Sequence, residues 1–309
     1  MASTVAVGKP AAGKPAAGKP SRGGRWSPWL FALPALVVYV AFLVYPALSS
    51  LFFSLTNWDG LSSTYEFVGL DNYLKLPQDP VVVTAVRNNL IWTVVTIAVP
   101  TVIGLLLAIA LNGKVHGKPI LRLIFYTPAV LPLVSIASIW GWLYNPQYGA
   151  INSFLRMIGL DGLATAWLGQ DSTALWAVMV PAIWLRTGFP MLLYLAALQG
   201  IPNELYEAAT VDGATRWQQF WNVTMPGLRP AHYIVLALSL IDSFKVFDMI
   251  YAMTYGGPGT STQVMGTWMY FNVFQYYQAG YGTAIAVVIT LVAIAVGIPY
   301  VRSQTREAS

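Results

Sequence analysis

Residues 200–230 read GIPNELYEAATVDGATRWQQFWNVTMPGLRP and lie between two apolar runs, 173–198 and 231–254. Each run exceeds the roughly 20 residues a helix needs to cross a hydrocarbon core, so the order is span, loop, span. The loop itself has helical punctuation. Pro202 and Asn203 open a short helix, and Asp212-Gly213 breaks it where a residue without Cβ takes a positive φ. Thr215 with Gln218 then forms a capping box for a second helix, which Pro226 is expected to stop. Ala208 and Ala209 leave one side of the first helix smooth enough for close approach by another surface, with Leu205 beside them as an apolar knob. With Trp217, Phe220 and Trp221 also held outside the spans, this hairpin carries more apolar surface than a connector needs.

Outward from the hairpin, four further apolar runs occupy 29–55, 89–111, 120–144 and 281–301. The chain of 309 residues is 56% hydrophobic and 9% charged, with a mean hydropathy of +0.58. Soluble domains carry about 25% charged residues, so a cytosolic enzyme is excluded. The fold class expected is all-α, a polytopic membrane protein of six transmembrane helices whose connecting segments are too short for a catalytic domain. Zero cysteines remove disulfides, thiolate chemistry and Cys-ligated metals. His116 and His232 are too few and too far apart for a metal cluster, so no metal site and no enzymatic activity are expected.

Short loops rich in Lys and Arg stay cytoplasmic, and this sets the orientation. With both termini inside, twelve cations fall on the inner side: Lys9, Lys14, Lys19, Arg22, Arg25, Lys114, Lys118, Arg122, Arg216, Arg229, Arg302 and Arg306. Only Lys75, Arg87 and Arg156 fall on the outer side. The net charge of +5 thus reflects sidedness in a cell membrane, and no nucleic-acid partner is implied.

Residues 1–28 repeat AVGKP, AAGKP, AAGKP through Pro20, a composition with nothing to bury, and read as a disordered basic cytoplasmic arm. The apolar stretch after it exceeds the 7–15 residues of a signal-peptide core, so the reading is an uncleaved anchor. Each Gly-Lys pair of the arm is followed by Pro where a phosphate loop needs Ser or Thr, so the chain has no ATPase of its own. The permeation unit is then 29–301, with a cytoplasmic tail at 302–309. On the outer side, 56–88 should form a small cap turning at FVGLDNY (67–73), 145–172 a re-entrant or surface helix around 151–158, and 255–280 an uncharged segment. Trp29, Trp58, Trp140, Trp142 and Trp268 stand near span ends, as in an aromatic belt.

The string Glu207-Ala208-Ala209-x-x-Asp212-Gly213-Ala214, with Pro226 twelve residues on, resembles the EAA loop of the membrane subunits of binding-protein-dependent ABC importers. FVGLDNY before the second span, and Phe247-Asp248 through Thr254-Tyr255-Gly256-Gly257-Pro258 with Thr262 after the fifth, look like the MalF-type sugar permeases. The likeness spans about 29–301. It departs at Val223 and Met225, where Ile and Leu are commoner, and at Tyr255 before Gly256. The resemblance implies a second, similar permease subunit, two copies of a cytoplasmic ATPase that bind ATP and Mg, and an extracytoplasmic sugar-binding protein. The chain itself would hold no cofactor. It also implies that Glu207, Ala208, Ala209, Asp212, Gly213 and Pro226 form the element docking on the ATPase. Closure of the ATPase dimer would then drive alternating access.

The substrate pathway is sought where charge enters the spans. Arg186, Asp242, Lys245 and Asp248 lie within spans four and five and sum to zero. Such groups normally pair or face a watery cavity. At about 1.5 Å per residue, Arg186, Asp242 and Lys245 stand roughly 17–21 Å from the inner ends of their spans. Ser239, Asp242 and Ser243 follow i, i+3, i+4 spacing and form a polar stripe, expected to line a sugar pathway, with Trp184 and Tyr194 expected to stack on a pyranose face. A structural ion-pair network is the alternative for the same charges. Two other substrates, glycerol phosphate or a polyol, fit the same transporter class. An ion-coupled secondary carrier would need a titratable relay and usually an internal repeat, and a membrane enzyme would need clustered His or acidic residues.

Overall fold

A computed structural model describes residues 27–113 and 115–307. Contacts divide the chain into two units, Met1–Leu48 and Ser49–Ser309. The basic arm expected over 1–28 lies outside the described residues except for Ser27 and Pro28, which open the first helix, α1 (Ser27–Tyr39). A π-helical turn, Val40–Val44, leads from α1 into α2 (Tyr45–Phe53), and the stretch Phe31–Phe53 is long and apolar enough to cross a membrane.

In the second unit, α3 (Asp71–Lys75) precedes α4 (Pro80–Asn112), then come α5 (Lys118–Tyr126), α6 (Leu133–Leu143), α7 (Ala150–Met157) and α8 (Ala174–Gln199). The hairpin follows as α9 (Asn203–Val211), α10 (Arg216–Gln219) and α11 (Met225–Gly227). The chain closes with α12 (Arg229–Phe244), α13 (Asp248–Thr254), α14 (Met265–Phe274) and α15 (Ala279–Glu307). The last helix therefore runs past residue 301, where the sixth span was expected to end.

Among the described residues the apolar runs do not all fold as uninterrupted helices. Among the described residues four helices are long and apolar enough to cross a membrane: Phe31–Phe53, Pro80–Asn112, Ala174–Gln199 and Ala279–Tyr300. The expected third span is a bent pair, Lys118–Val130 and Leu133–Leu143, turned by 101°. Pro128 and Pro132 both lack an N–H for the helix ladder, and the turn falls before Pro132, where Leu131 is extended (φ −73°, ψ 142°) while Thr127 before Pro128 stays helical. The expected fifth span is interrupted at 245–247 between α12 and α13. There Val246 drops into the core while Asp248 sits in the first turn of α13, where a carboxylate suits the helix dipole.

The helix α4 is the spine of this unit. It begins nine residues before the expected second span, because the Asp79 carboxylate accepts from Val81 N–H at 2.8 Å and Pro80 is pre-shaped for the first turn. Along its length it joins three apolar clusters. Val82 and Ala85 pack with Leu76, Met265 and Ile285. Trp92 packs with Ile136, Val178, Met179, Val246 and Ile250. Ala108 and Leu111 pack with Met191, Tyr194, Leu198, Leu228 and Val235. At Gly104 the backbones of α4 and α8 touch, since a Cβ there would lie 2.8 Å from Pro190 Cβ and 2.9 Å from Met191 N.

Amides tie the connecting segments to this spine. Asn88 Nδ2 donates to the carbonyls of Ser261 and Gln263, each at 2.8 Å, and Met265 N–H donates to Asn89 Oδ1 at 2.8 Å. Asn72, buried, donates to the carbonyls of Ser54 and Thr56, next to an antiparallel bridge between Thr56 and Phe67. Short helices form in both connecting segments, α3 within 56–88 and α7 within 145–172.

Candidate functional site: the exposed hairpin and the broken helix

The hairpin ends its first helix in a Schellman motif. Gly213 takes φ +77°, its N–H bonds to Thr210 O at 3.0 Å, and Ala214 N–H reaches back to Ala209 O at 2.9 Å. Thr215 and Gln218 make the expected reciprocal capping box. Two side-chain links brace the halves: Gln219 Nε2 donates to Thr210 Oγ1 at 2.9 Å, and the Tyr206 and Thr224 hydroxyls lie 3.0 Å apart. The helix does not stop at Pro226. A π-helical turn at Phe220–Thr224 widens the ladder, so the missing proline N–H costs no regular bond, and the chain turns two residues later at Leu228.

Within this braced frame Glu207, Ala208, Asp212, Gly213 and Pro226 are exposed, and Ala209 is half-buried. Leu205 is 51% exposed, Val211 88%, Trp217 67% and Trp221 47%. Single exposed apolar residues are ordinary, but this short hairpin carries four, of which Trp217 and Trp221 lie edge to face at 5.6 Å and form a paired aromatic surface.

The polar stripe on α12 divides. Ser243 is fully buried and its hydroxyl donates to Leu240 O at 2.8 Å, within its own helix, whereas Asp242 is exposed and Ser239 half-buried. Arg186 on α8 does reach α12, yet through Asp242 O, 3.3 Å from Nη2, and not through the carboxylate. Its Nη1 is buried without a partner, as is Trp92 Nε1. Both side chains line a cavity of about 50 Å³ together with Lys245 and Asp248, at the break between α12 and α13. Three of the four charged residues, Arg186, Lys245 and Asp248, therefore line the helix interruption with donor capacity left over, and Asp242 meets Arg186 through its carbonyl.

The two aromatic residues expected to stack on a sugar lie apart, one buried and one 40% exposed. Tyr194 is fully buried in the α4–α8–α12 core with its ring 4.9 Å from that of His232. Trp184 faces an apolar recess formed with Ile103, Leu107, Phe125 and Val180, edge-on to Trp140. The rings next to the break lie elsewhere: Phe247 and Tyr251 stack at 5.1 Å, and Tyr270 closes on both at 5.4 and 5.3 Å. Phe247 and Tyr251 stand at i, i+4 spacing in the sequence, whereas Tyr270 comes from α14 and no local pattern links it to them.

Residues 100–306 match the family described as binding-protein-dependent transport system inner membrane component. The chain belongs to this family. It is 38% identical over 273 residues to the probable ABC transporter permease protein YurN of Bacillus subtilis, covering 88% of this chain and 93% of that one. It is 36% identical over 264 residues to the multiple sugar-binding transport system permease protein MsmF of Streptococcus mutans, covering 85% and 90%. A permease-sized chain in the crystal structure of a bacterial alginate ABC transporter, in complex with an alginate pentasaccharide-bound periplasmic protein, superposes with a TM-score of 0.77. That match is 26% identical and covers 89% of this chain and 92% of that one. The protein is thus a multi-pass membrane permease of the binding-protein-dependent ABC importer type and not an enzyme, as the EAA-like string implies.

Proposed function

We propose that this permease carries a carbohydrate. Its own exposed hairpin would couple it to a separate ATPase that holds ATP and Mg, and the path would run past the α12–α13 break. The observation that carries the reading is the convergence of Arg186, Lys245 and Asp248 on one cavity at a break in an otherwise apolar helix, flanked by exposed Asp242 and the Phe247–Tyr251–Tyr270 rings. Carboxylates and free guanidinium N–H groups exchange hydrogen bonds with sugar hydroxyls, and aromatic faces pack on the apolar side of a pyranose. The names of relatives, MsmF and the alginate transporter among them, support a saccharide over glycerol phosphate or a polyol.

The same proposal includes a second permease subunit, two ATPase copies and an extracytoplasmic binding protein. Both termini are cytoplasmic in this account, as the Lys and Arg distribution favours. Glu207 would face a basic group on the ATPase, with Gly213 at the bend.

Asp242→Asn should change the ranking among transported saccharides, or lower the uptake rate about ten-fold, at normal yield of the assembled complex. Tyr251→Ala should do the same. Because Ser243 bonds only within its own helix, Ser243→Ala should leave uptake within two-fold of the parent. Radiolabelled uptake alongside complex yield separates the outcomes: lost assembly with unaltered preference would mark the charges as a packing network.

A further inference from the structure

Away from the break and the hairpin, a cleft of about 630 Å³ opens where α3, the start of α4 and the α14–α15 turn meet. Aromatic rings (Trp58, Trp268, Tyr277) and amides (Gln78, Gln278) line it. We infer that this cleft is a second saccharide site, separate from the translocation path, sized for one or two sugar residues.

Its walls are already fixed. Asp79 Oδ2 accepts from Trp268 Nε1 at 2.9 Å and from Tyr281 Oη at 2.8 Å, and Gly280 N–H donates to Trp58 O at 2.8 Å. Trp58 stacks on Phe53 at 4.2 Å, and its Nε1 donates to Ser62 O. A ligand entering here would pay little to order these groups. Pockets of 300–1,000 Å³ with aromatic walls and a few placed polar groups are the common form of small-molecule site.

The chemistry on offer is that of a sugar. Asp79 has its Oδ1 on Val81 N–H and its Oδ2 taken twice, so little of its acceptor capacity is left for a ligand, and exposed Lys75 is the cation of the cleft. What remains are amide donors and acceptors, which match hydroxyl groups, beside flat rings, which match the C–H face of a pyranose. Lys75 could also meet an acidic substituent on the sugar.

Tyr277 sharpens the assignment. Its φ is +52°, a conformation disfavoured for a bulky side chain, and its ring is 54% exposed at the cleft. Strain of this kind clusters at ligand-binding positions. Folding alone would favour glycine at this position.

This inference rests on the cleft's own composition and not on the pathway reading, and its test separates the two. The full chain, assembled with its partner subunits in lipid nanodiscs, is titrated calorimetrically with maltose, cellobiose, N,N′-diacetylchitobiose and glycerol, without binding protein. At least one of the three disaccharides should bind saturably, and more tightly than glycerol. Tyr277→Gly, which suits the left-handed backbone and preserves the fold, should weaken that binding at least ten-fold, while Tyr277→Phe should stay within three-fold. Asp242→Asn should leave it within two-fold. Absence of binding by all three disaccharides would overturn the inference, as would binding insensitive to Tyr277→Gly, or binding lost equally in Asp242→Asn.

Discussion

Gly213→Pro should abolish ATP-coupled uptake, lowering it by at least an order of magnitude, while the chain still inserts in the membrane. Proline fixes φ near −65° and removes the N–H, whereas Gly213 sits at φ +77° and donates to Thr210 O. Both bonds of the Schellman motif depend on that geometry, so α9 and α10 would lose their relative angle even though Gln219 and Tyr206 still brace them. Space is not the issue, because a Cβ at residue 213 would meet no atom within 4 Å. Gly213→Val should therefore act through backbone strain alone, about 1–2 kcal/mol, and impair coupling less than proline. Gly213→Asn, which tolerates the left-handed region, should stay near the parent. Uptake and ATPase retention on purification, measured across the three variants, give the ordering; equal behaviour of all three would remove the bend from the coupling account.

Gly104→Val should have the largest effect on folding. The added carbons would stand closer than 3 Å to Pro190 Cβ and to the Met191 backbone, where α4 and α8 are in direct contact. Overpacking of this kind typically costs 1–3 kcal/mol and occasionally more, and here one of the obstructing atoms is backbone that cannot rotate away. The clusters of Trp92 and of Tyr194 both run between these helices, so separation would loosen two of the three cores. The expected result is a recovery of folded, monodisperse protein in detergent reduced several-fold. Gly141→Ala supplies the contrast: it lies in α6 with nothing within 4 Å of a Cβ, and should be neutral or stabilising by about 0.5–1 kcal/mol. Comparable yields for Gly104→Val and the parent would show that the α4–α8 contact is not tight.

The hairpin was the most legible part of the sequence, because its signals are local. A positive-φ glycine, a Thr–Gln capping box and solvent-facing apolar residues need no knowledge of the rest of the chain. The spans were legible in composition and less so in shape. Hydropathy counts apolar residues over a window and is blind to direction, so the 101° turn beside Pro128 and Pro132 looks like a straight span unless the two prolines are weighed. The break at 245–247 has no glycine or proline to announce it; it comes from tertiary packing, as Val246 and Ile250 settle against Trp92 and Val178. Once the helix breaks there, the α-helical register used to place Ser239, Asp242 and Ser243 on one stripe no longer extends to Lys245 and Asp248. Tyr194 was misjudged because burial depends on which neighbouring helix covers a ring, and the charges alone could not show that α12 covers it. Asp79 was overlooked for a similar reason: its partners Trp268 and Tyr281 are about two hundred residues distant.

The central claim is that this permease moves a saccharide at the expense of ATP hydrolysed on another subunit. Proteoliposomes holding this chain, its partner permease and the ATPase, supplied with sugar-loaded binding protein, test it through uptake of a radiolabelled oligosaccharide. Uptake should require ATP and Mg on the ATPase side and fall to background with Glu207→Lys, which sets a cation on the exposed hairpin against the proposed basic partner, and an imposed proton gradient should not replace ATP. Accumulation driven by the gradient without ATP, or ATP-driven uptake unchanged by Glu207→Lys, would contradict it.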